Sequence, residues 1–267
     1  MKRIFENKAE LTTQQIVLLI VLIASFAVIL FFLFRLNLGE ETRKEICHNS
    51  VILKGKSILG GALDCKTNYV CISGGSDCKD IIPTETIKVS LDSKDEVFKA
   101  IADQMAECWW TFGEGKVDYV GFNVEGATIG KVNCALCSAV SFSGDLTNLK
   151  EIDKSSFGNF LKNTKQSGSQ SYSYFLYGTN DLDKVNSLLS SVDLSQKYYV
   201  VTGIAQASVL TSVNNWFGSG IDLLNSFVPF IEFTKLDKSN NYGTFPVVVV
   251  NQEDLKKIGC DNFVTKA

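Results

Sequence analysis

An α+β domain behind one N-terminal transmembrane helix is the architecture the sequence predicts, on three observations. Nineteen consecutive positions, Ile16 to Phe34, carry no charge. All eight cysteines follow that run. Beyond it, segments of helical and of strand periodicity interleave without a strict βαβ rhythm.

The apolar run comes first. Ser25 is its only polar side chain. At a rise of about 1.5 Å per residue, a helix of this length covers roughly 28 Å, close to the ~30 Å hydrocarbon core. A lone segment satisfies its backbone groups there only as a helix. A buried core helix of this length would carry a polar face. A cleaved secretory signal would have an apolar region of about 7–15 residues and a small-x-small site. Here the run ends in FFLFRLNLGEE. The expectation is a retained anchor with residues 1–15 as a short cytoplasmic tail, 16–34 as the span, 35–50 as a stalk and 51–267 as the exterior domain. The next most apolar stretch, Ala205 to Phe233, is interrupted by Asn214, Asn215, Gly218, Gly220, Asp222, Asn225 and Pro229, so the chain reads as single-span. Lys2, Arg3 and Lys8 precede the span, and Arg35, Arg43 and Lys44 follow it, so basic residues do not set the orientation.

The cysteines set it instead. Cys47, Cys65, Cys71, Cys78, Cys108, Cys134, Cys137 and Cys260 are even in number and absent from the span. That pattern reads as a disulfide framework in an oxidising space, with the N-terminus inside and the domain outside the cell membrane. Zinc is the rival reading, but one C-x2-C is half a site and the x5 and x6 gaps of Cys65, Cys71 and Cys78 fit zinc ribbons poorly. No metal or other cofactor is expected. A redox pair would need its C-x-x-C at the start of a helix. CALC is followed by SAVSF, a strand-like alternation, and positions i and i+3 of a strand face opposite ways. Cys134 and Cys137 are therefore expected to bridge to different partners.

Composition narrows the class. With 45% apolar and 21% charged residues, and a net charge of −3, the chain is neither disordered nor basic enough to neutralise phosphates. No nucleic-acid partner is expected. Residues 36–267 hold 22 basic and 27 acidic residues, a net of −5. No Asn-x-Ser/Thr acceptor occurs.

Along the exterior portion, RLNLGEETRKEICHNS suits a helical or flexible stalk, and VILKGKS, NYVCISG and ETIKVSL read as strands. Ser93-x-x-Glu96 is a capping box opening a helix whose apolar stripe is Val97, Phe98, Ile101, Met105, Cys108, Trp109 and Phe112. Gly113 and Gly115 stop it. Cys108 is expected to tie this helix to the Cys134/Cys137 strand. Trp109 and Trp110 cannot face one way, so one is core and the other a contact residue. Strands are expected at Val117–Val124 and Lys131–Phe142, and a helix at Lys154–Lys162. KQSGSQSYSY reads as a loop entering a Tyr-rich strand, on which Tyr172 and Tyr174 share a face. Asp181–Leu189 reads as a helix and Lys197–Ala205 as a strand. Ala207–Phe230, with Trp216, reads as a long functional loop. Strands at Ile231–Leu236 and Thr244–Val250, a helical turn at Gln252–Ile258 and a staple at Cys260 complete the domain.

Catalytic patterns are scarce. The only histidine, His48, adjoins Cys47, and neighbouring side chains diverge. No nucleophile elbow, zincin or P-loop pattern occurs. Glu107, Glu114 and Asp118 flank the two tryptophans, an arrangement that would suit a glycosidase, but charged side chains around a helix end mostly face solvent. Exposed aromatics serve as contact anchors. The expected function is that of an anchored structural or binding protein acting through protein–protein contacts: Trp109, Trp110, Tyr172, Tyr174 and Trp216 are the candidate contact residues, the 16–34 helix meets lipid, and the partner is another protein or a second copy. The enzymatic alternative is thiol–disulfide exchange by Cys134 and Cys137.

One local resemblance exists. KAELTTQQ, Lys8 to Gln15, runs directly into the apolar helix and resembles the class III signal of archaeal type IV pilin-like proteins. The resemblance implies cleavage between Ala9 and Glu10 and a helix that packs into a filament core. The family more often has Gly before the cut and Gln after it. KAELTTQQIVLLIV, CWWTFGEGK and CALCS also loosely resemble single-span archaeal surface proteins, a likeness that implies no activity. The plain alternative is that Thr12, Thr13, Gln14 and Gln15 are interfacial polar residues of the tail.

Overall fold

The structure, a computed structural model, describes residues 13–35, 38–56, 62–121, 132–149, 151–206 and 242–266. The chain divides into two compact units, Met1–Arg43 and Lys44–Ala267.

The first unit holds α1 (Thr13–Arg35). Its apolar side chains from Ile16 to Phe31 are exposed around the whole circumference. Among the described residues it is the one helix long and apolar enough to cross a membrane. The Ser25 hydroxyl donates to the Leu22 carbonyl at 2.9 Å, so even the lone polar side chain is satisfied within the helix.

Helix α2 (Leu38–Lys56) enters the second unit at Lys44 and runs across the expected border between stalk and domain. Val51 to Lys56, expected to be extended, are its last turns. The reason is burial. Cys47 and Val51 stand four apart on one helical face, and both are buried, Val51 completely. That contact overrides the strand preference of VILKGKS.

The centre of the second unit is a mixed sheet. Strand β1 (Asn68–Ser73) pairs parallel with β2 (Glu85–Lys88) and with β3 (Val132–Phe142). Strand β8 (Tyr198–Gln206) runs antiparallel to β3, and β9 (Tyr242–Asn251) antiparallel to β8. The two-residue β10 (Asn262–Phe263) pairs parallel with the start of β3, on the edge whose other half β1 occupies. Two small pairs lie outside the sheet: β4 (Glu151–Ile152) with β7 (Val192–Asp193), and β5 (Lys165–Ser167) with β6 (Gln170–Ser171).

Both faces of the sheet are buried. The valine run of β9 shows how: Val247 and Val249 join the large core, while Val248 and Val250 join a smaller cluster with Cys134, Val201, Phe245 and Ile258. Alternate residues of one strand thus feed two layers. A bulge between Leu136 and Ser138 shifts the β3 register. It moves the large-core face from Ala135 and Cys137 to Val140 and Phe142. Gly203 in β8 lies beneath the Phe245 ring, where an added Cβ would come within 1.8 Å of ring carbon.

Helix α3 (Lys94–Thr111) packs on the large-core face against β3, β8 and β9. Val97, Phe98, Ile101, Met105 and Cys108 are buried as the stripe requires. Ser93 caps it, accepting from the Glu96 amide at 3.3 Å. The Glu96 carboxylate reaches the Ser90 amide at 2.7 Å, one turn beyond the reciprocal partner of a capping box. Helices α4 (Lys154–Asn163), α5 (Tyr172–Tyr177) and α6 (Leu182–Leu188) add Phe157, Leu161, Tyr172, Leu176 and Val185 to the same core, and α7 (Gln252–Lys257) follows β9.

Two further expectations differ. Val117 to Gly121 form no strand; there the Asp118 carboxylate accepts from the amides of Val120 and Gly121, which bends the chain. The KQSGSQSYSY stretch is the β5–β6 hairpin followed by helix α5, not a Tyr-rich strand. Residues 122–131 and 207–241, which include the rest of the Val117–Val124 strand, the long loop and the Ile231–Leu236 strand, lie outside the described residues.

Candidate functional site

The eight cysteines form four bridges. Cys47–Cys65 joins α2 to the segment before β1. Cys71–Cys78 ties β1 to the loop that follows it. Cys108–Cys137 clamps α3 onto the β3 bulge. Cys134–Cys260 fixes the chain end to the start of β3 across 126 residues. Cys134 lies in the smaller cluster and Cys137 against the large core, so the i, i+3 separation sends the two thiols to opposite faces and to different partners. No cysteine is free, and no cluster among the described residues could hold a metal ion.

The aromatics separate into core and surface. Trp109 packs partly buried against the core, and Trp110 stays 37% exposed. The Trp110 ring stacks on His48 of α2 at 4.0 Å between centroids, 10° from parallel. His48 Nδ1 donates to the Trp110 carbonyl at 2.9 Å. Tyr172 and Tyr174 do not share a face. On α5 they stand about 200° apart around the axis, so Tyr172 is 2% exposed and Tyr174 52%. The Tyr172 hydroxyl donates to Asp103 of α3. Burial, then that hydrogen bond and charge, hold Tyr172 well above the usual phenol range. Trp216, Ala9 and Glu10 lie outside the described residues.

The carboxylates around the tryptophans have structural partners. Glu107 of α3 accepts from Lys44 at 2.9 Å, and Glu85 of β2 lies 3.5 Å from the same ammonium. Burial alone would lower the Lys44 pKa; the bonds and charges of Glu107 and Glu85 outweigh it and raise it. Glu114, at φ 54 between Gly113 and Gly115, pairs with Lys116. Asp118, expected at the surface, is only 6% exposed, and its Oδ2 has no hydrogen-bond partner among the described residues. The hydroxyl of Tyr119 is likewise buried and has no partner among the described residues. Burial and the Asp118 charge push Tyr119 far up, so it stays neutral. These groups do not converge on a nucleophile and base.

A concave feature lies elsewhere among the described residues. A groove of about 520 Å³ opens between the end of α4, the β5–β6 hairpin, α5 and the turn before α6. Local sequence builds it. Asp153 caps α4, accepting from the Ser156 amide at 3.0 Å, and Phe157 and Leu161 bury its inner face. Lys162 and Asn163 are thereby left at the outer end. Gly168, at φ +56, turns the hairpin. Ser171 caps α5, and Gly178, at φ +68, closes it. Asn180 then folds back, its Oδ1 accepting from the hydroxyls of Ser171 and Ser173.

The lining is polar and free of carboxylates, with Lys162, Lys165, Gln170 and the exposed Tyr174 ring among its groups. Of these residues the sequence singled out only Tyr174. A signal for the rest was present: Lys154 to Asn180 contains no Asp or Glu, inside a domain with an acidic excess. Such a surface can bind, with donors, ammonium charges and one stacking ring, and neither a histidine nor a carboxylate lines it.

No family model, curated protein or solved structure matches the chain.

Proposed function

We propose that the chain is a membrane-anchored extracytoplasmic binding protein. Helix α1 sits in the bilayer, and the disulfide-stapled α+β unit is displayed outside the cell, where it meets a protein partner or another copy. One observation carries this reading: a helix whose side chains from Ile16 to Phe31 are exposed and uncharged is followed by a unit in which every cysteine is bridged. An apolar helix with no buried face needs lipid or protein around it. Four bridges in one unit suit an oxidising compartment. The groove and the exposed Trp110 and Tyr174 offer binding groups, whereas the carboxylates near the tryptophans are occupied or buried.

Alkaline carbonate extraction of native membranes, combined with protease treatment of intact cells, tests this. Retention in the membrane pellet with the domain digested from outside is the expected result. Release into the supernatant, or protection of the domain in intact cells, contradicts it.

A second reading keeps the same helix but makes it an assembly element of a pilin-like filament. The exposure of α1 all round supports it equally, because such a helix packs as well into a bundle of its own kind as into lipid. N-terminal sequencing of the mature chain separates the two. A start at Glu10 favours the filament, and an intact Met1 favours the plain anchor.

A further inference from the structure

The α4–α5 groove has three properties that point to a ligand. The first is charge. Lys162 and Lys165 both line it, no carboxylate does, and neither ammonium has an ion-pair partner among the described residues. In a domain whose acids outnumber its bases, an acid-free stretch from Lys154 to Asn180 makes a local positive field. The second is hydrogen-bonding capacity. The side-chain amides of Asn163 and Gln170 bond nothing within the described residues, and Asn180, also in the lining, has its oxygen occupied by the Ser171 and Ser173 hydroxyls, so that only its amide donor is left for a ligand. The third is Tyr174, more than half exposed beside these groups although its neighbour Tyr172 is core.

Together these are the elements that recognise a saccharide. The side-chain amides of Asn163 and Gln170 match pairs of adjacent hydroxyls, since each offers both a donor and an acceptor. An exposed tyrosine ring provides a flat apolar face for the C–H side of a pyranose. Point-charge ammoniums match carboxylate or sulfate substituents. The volume, about 520 Å³, suits two or three sugar rings better than a protein surface.

We infer that this groove binds an anionic saccharide, carboxylated or sulfated, with Tyr174 as the stacking platform and Lys162 and Lys165 as the charge readers. The inference deepens the binding reading above, and the two fail separately, because ligand affinity of the purified chain does not depend on where the chain resides.

The test is calorimetric titration of the full chain in detergent micelles with an oligogalacturonate, a sulfated dextran oligosaccharide, a neutral maltooligosaccharide and polyglutamate. Tyr174→Ala and the double variant Lys162→Gln/Lys165→Gln are compared after circular dichroism shows native folding. Saturable binding of at least one anionic sugar is expected, roughly tenfold or more above the neutral sugar and polyglutamate, with a loss of about tenfold or more in each variant. Binding of neither anionic sugar, equal binding of the neutral sugar or of polyglutamate, or unchanged affinity in either variant would overturn the inference.

Discussion

At the residue scale, small polar side chains hold the surface turns of the second unit. Asp145 is the clearest case. Its carboxylate accepts from the Ser143 hydroxyl and from the Ser76 amide at 3.0 Å, while Ser143 accepts from the Gly74 amide at 3.0 Å. This network ties the loop closed by Cys71–Cys78 to the turn after β3. The Ser143 hydrogen bond, reinforced by Ser76, holds the Asp145 carboxyl below the usual range against a smaller opposing effect of desolvation. A depressed native pKa stabilises the fold above the unfolded value and ceases to do so as pH falls through the native one. Asp145→Asn should therefore lower the Tm at neutral pH, and its deficit relative to the parent should shrink as pH falls into the acidic range. Thermal melts of both proteins across that range check the sign; a deficit independent of pH would mean that the charge does not act there. The aromatics make a related point. Tyr172 and Tyr174 differ in everything but type, and sequence spacing alone put them on one face because it assumed a strand. A six-residue helix is too short to declare itself by periodicity; Ser171 as cap, Gly178 as stop and the burial of Tyr172 and Leu176 decide it.

At the element scale, long periodic segments were legible and short or conflicted ones were not. Helix α3 shows its stripe and cap in sequence, β8 and β9 show as β-branched runs and β3 as a strand-like alternation, because each buries a continuous face. Val51 to Lys56 misled because its β-branched residues extend a helix whose Cys47–Val51 face is fixed by tertiary contact. The groove was illegible for another reason. Lys162 and Asn180 lie on separate elements eighteen positions apart, and only the folding of α4, the hairpin and α5 against one core brings them to one rim. The bridges also act at this scale, and unequally. In the chain-entropy account, closing 126 residues through Cys134–Cys260 restricts the unfolded chain by about 5 kcal/mol, and closing 7 through Cys71–Cys78 by about 2 kcal/mol. Cys134→Ala/Cys260→Ala should accordingly cost about 2–3 kcal/mol more than Cys71→Ala/Cys78→Ala in denaturant unfolding. Equal losses would indicate that native packing, not the unfolded chain, governs the effect.

At the scale of the whole molecule, the two units have opposite surface chemistry. The first holds a helix whose apolar side chains from Ile16 to Phe31 are exposed; the second buries both sides of a mixed sheet, and its sequence carries a small acidic excess. The even cysteine count and its placement after the helix were enough to expect a stapled domain. They were not enough to pair the bridges, which depends on the β3 bulge and on the return of the chain end to β10. The account rests on the second unit having matured in an oxidising space. The most direct measurement is a free-thiol count, by intact mass, on protein denatured and alkylated without reductant straight from native membranes. The expected result is no alkylated cysteine, with peptide mapping returning the four pairs Cys47–Cys65, Cys71–Cys78, Cys108–Cys137 and Cys134–Cys260. Alkylation of all eight would contradict the account and place the domain in the reducing cytoplasm.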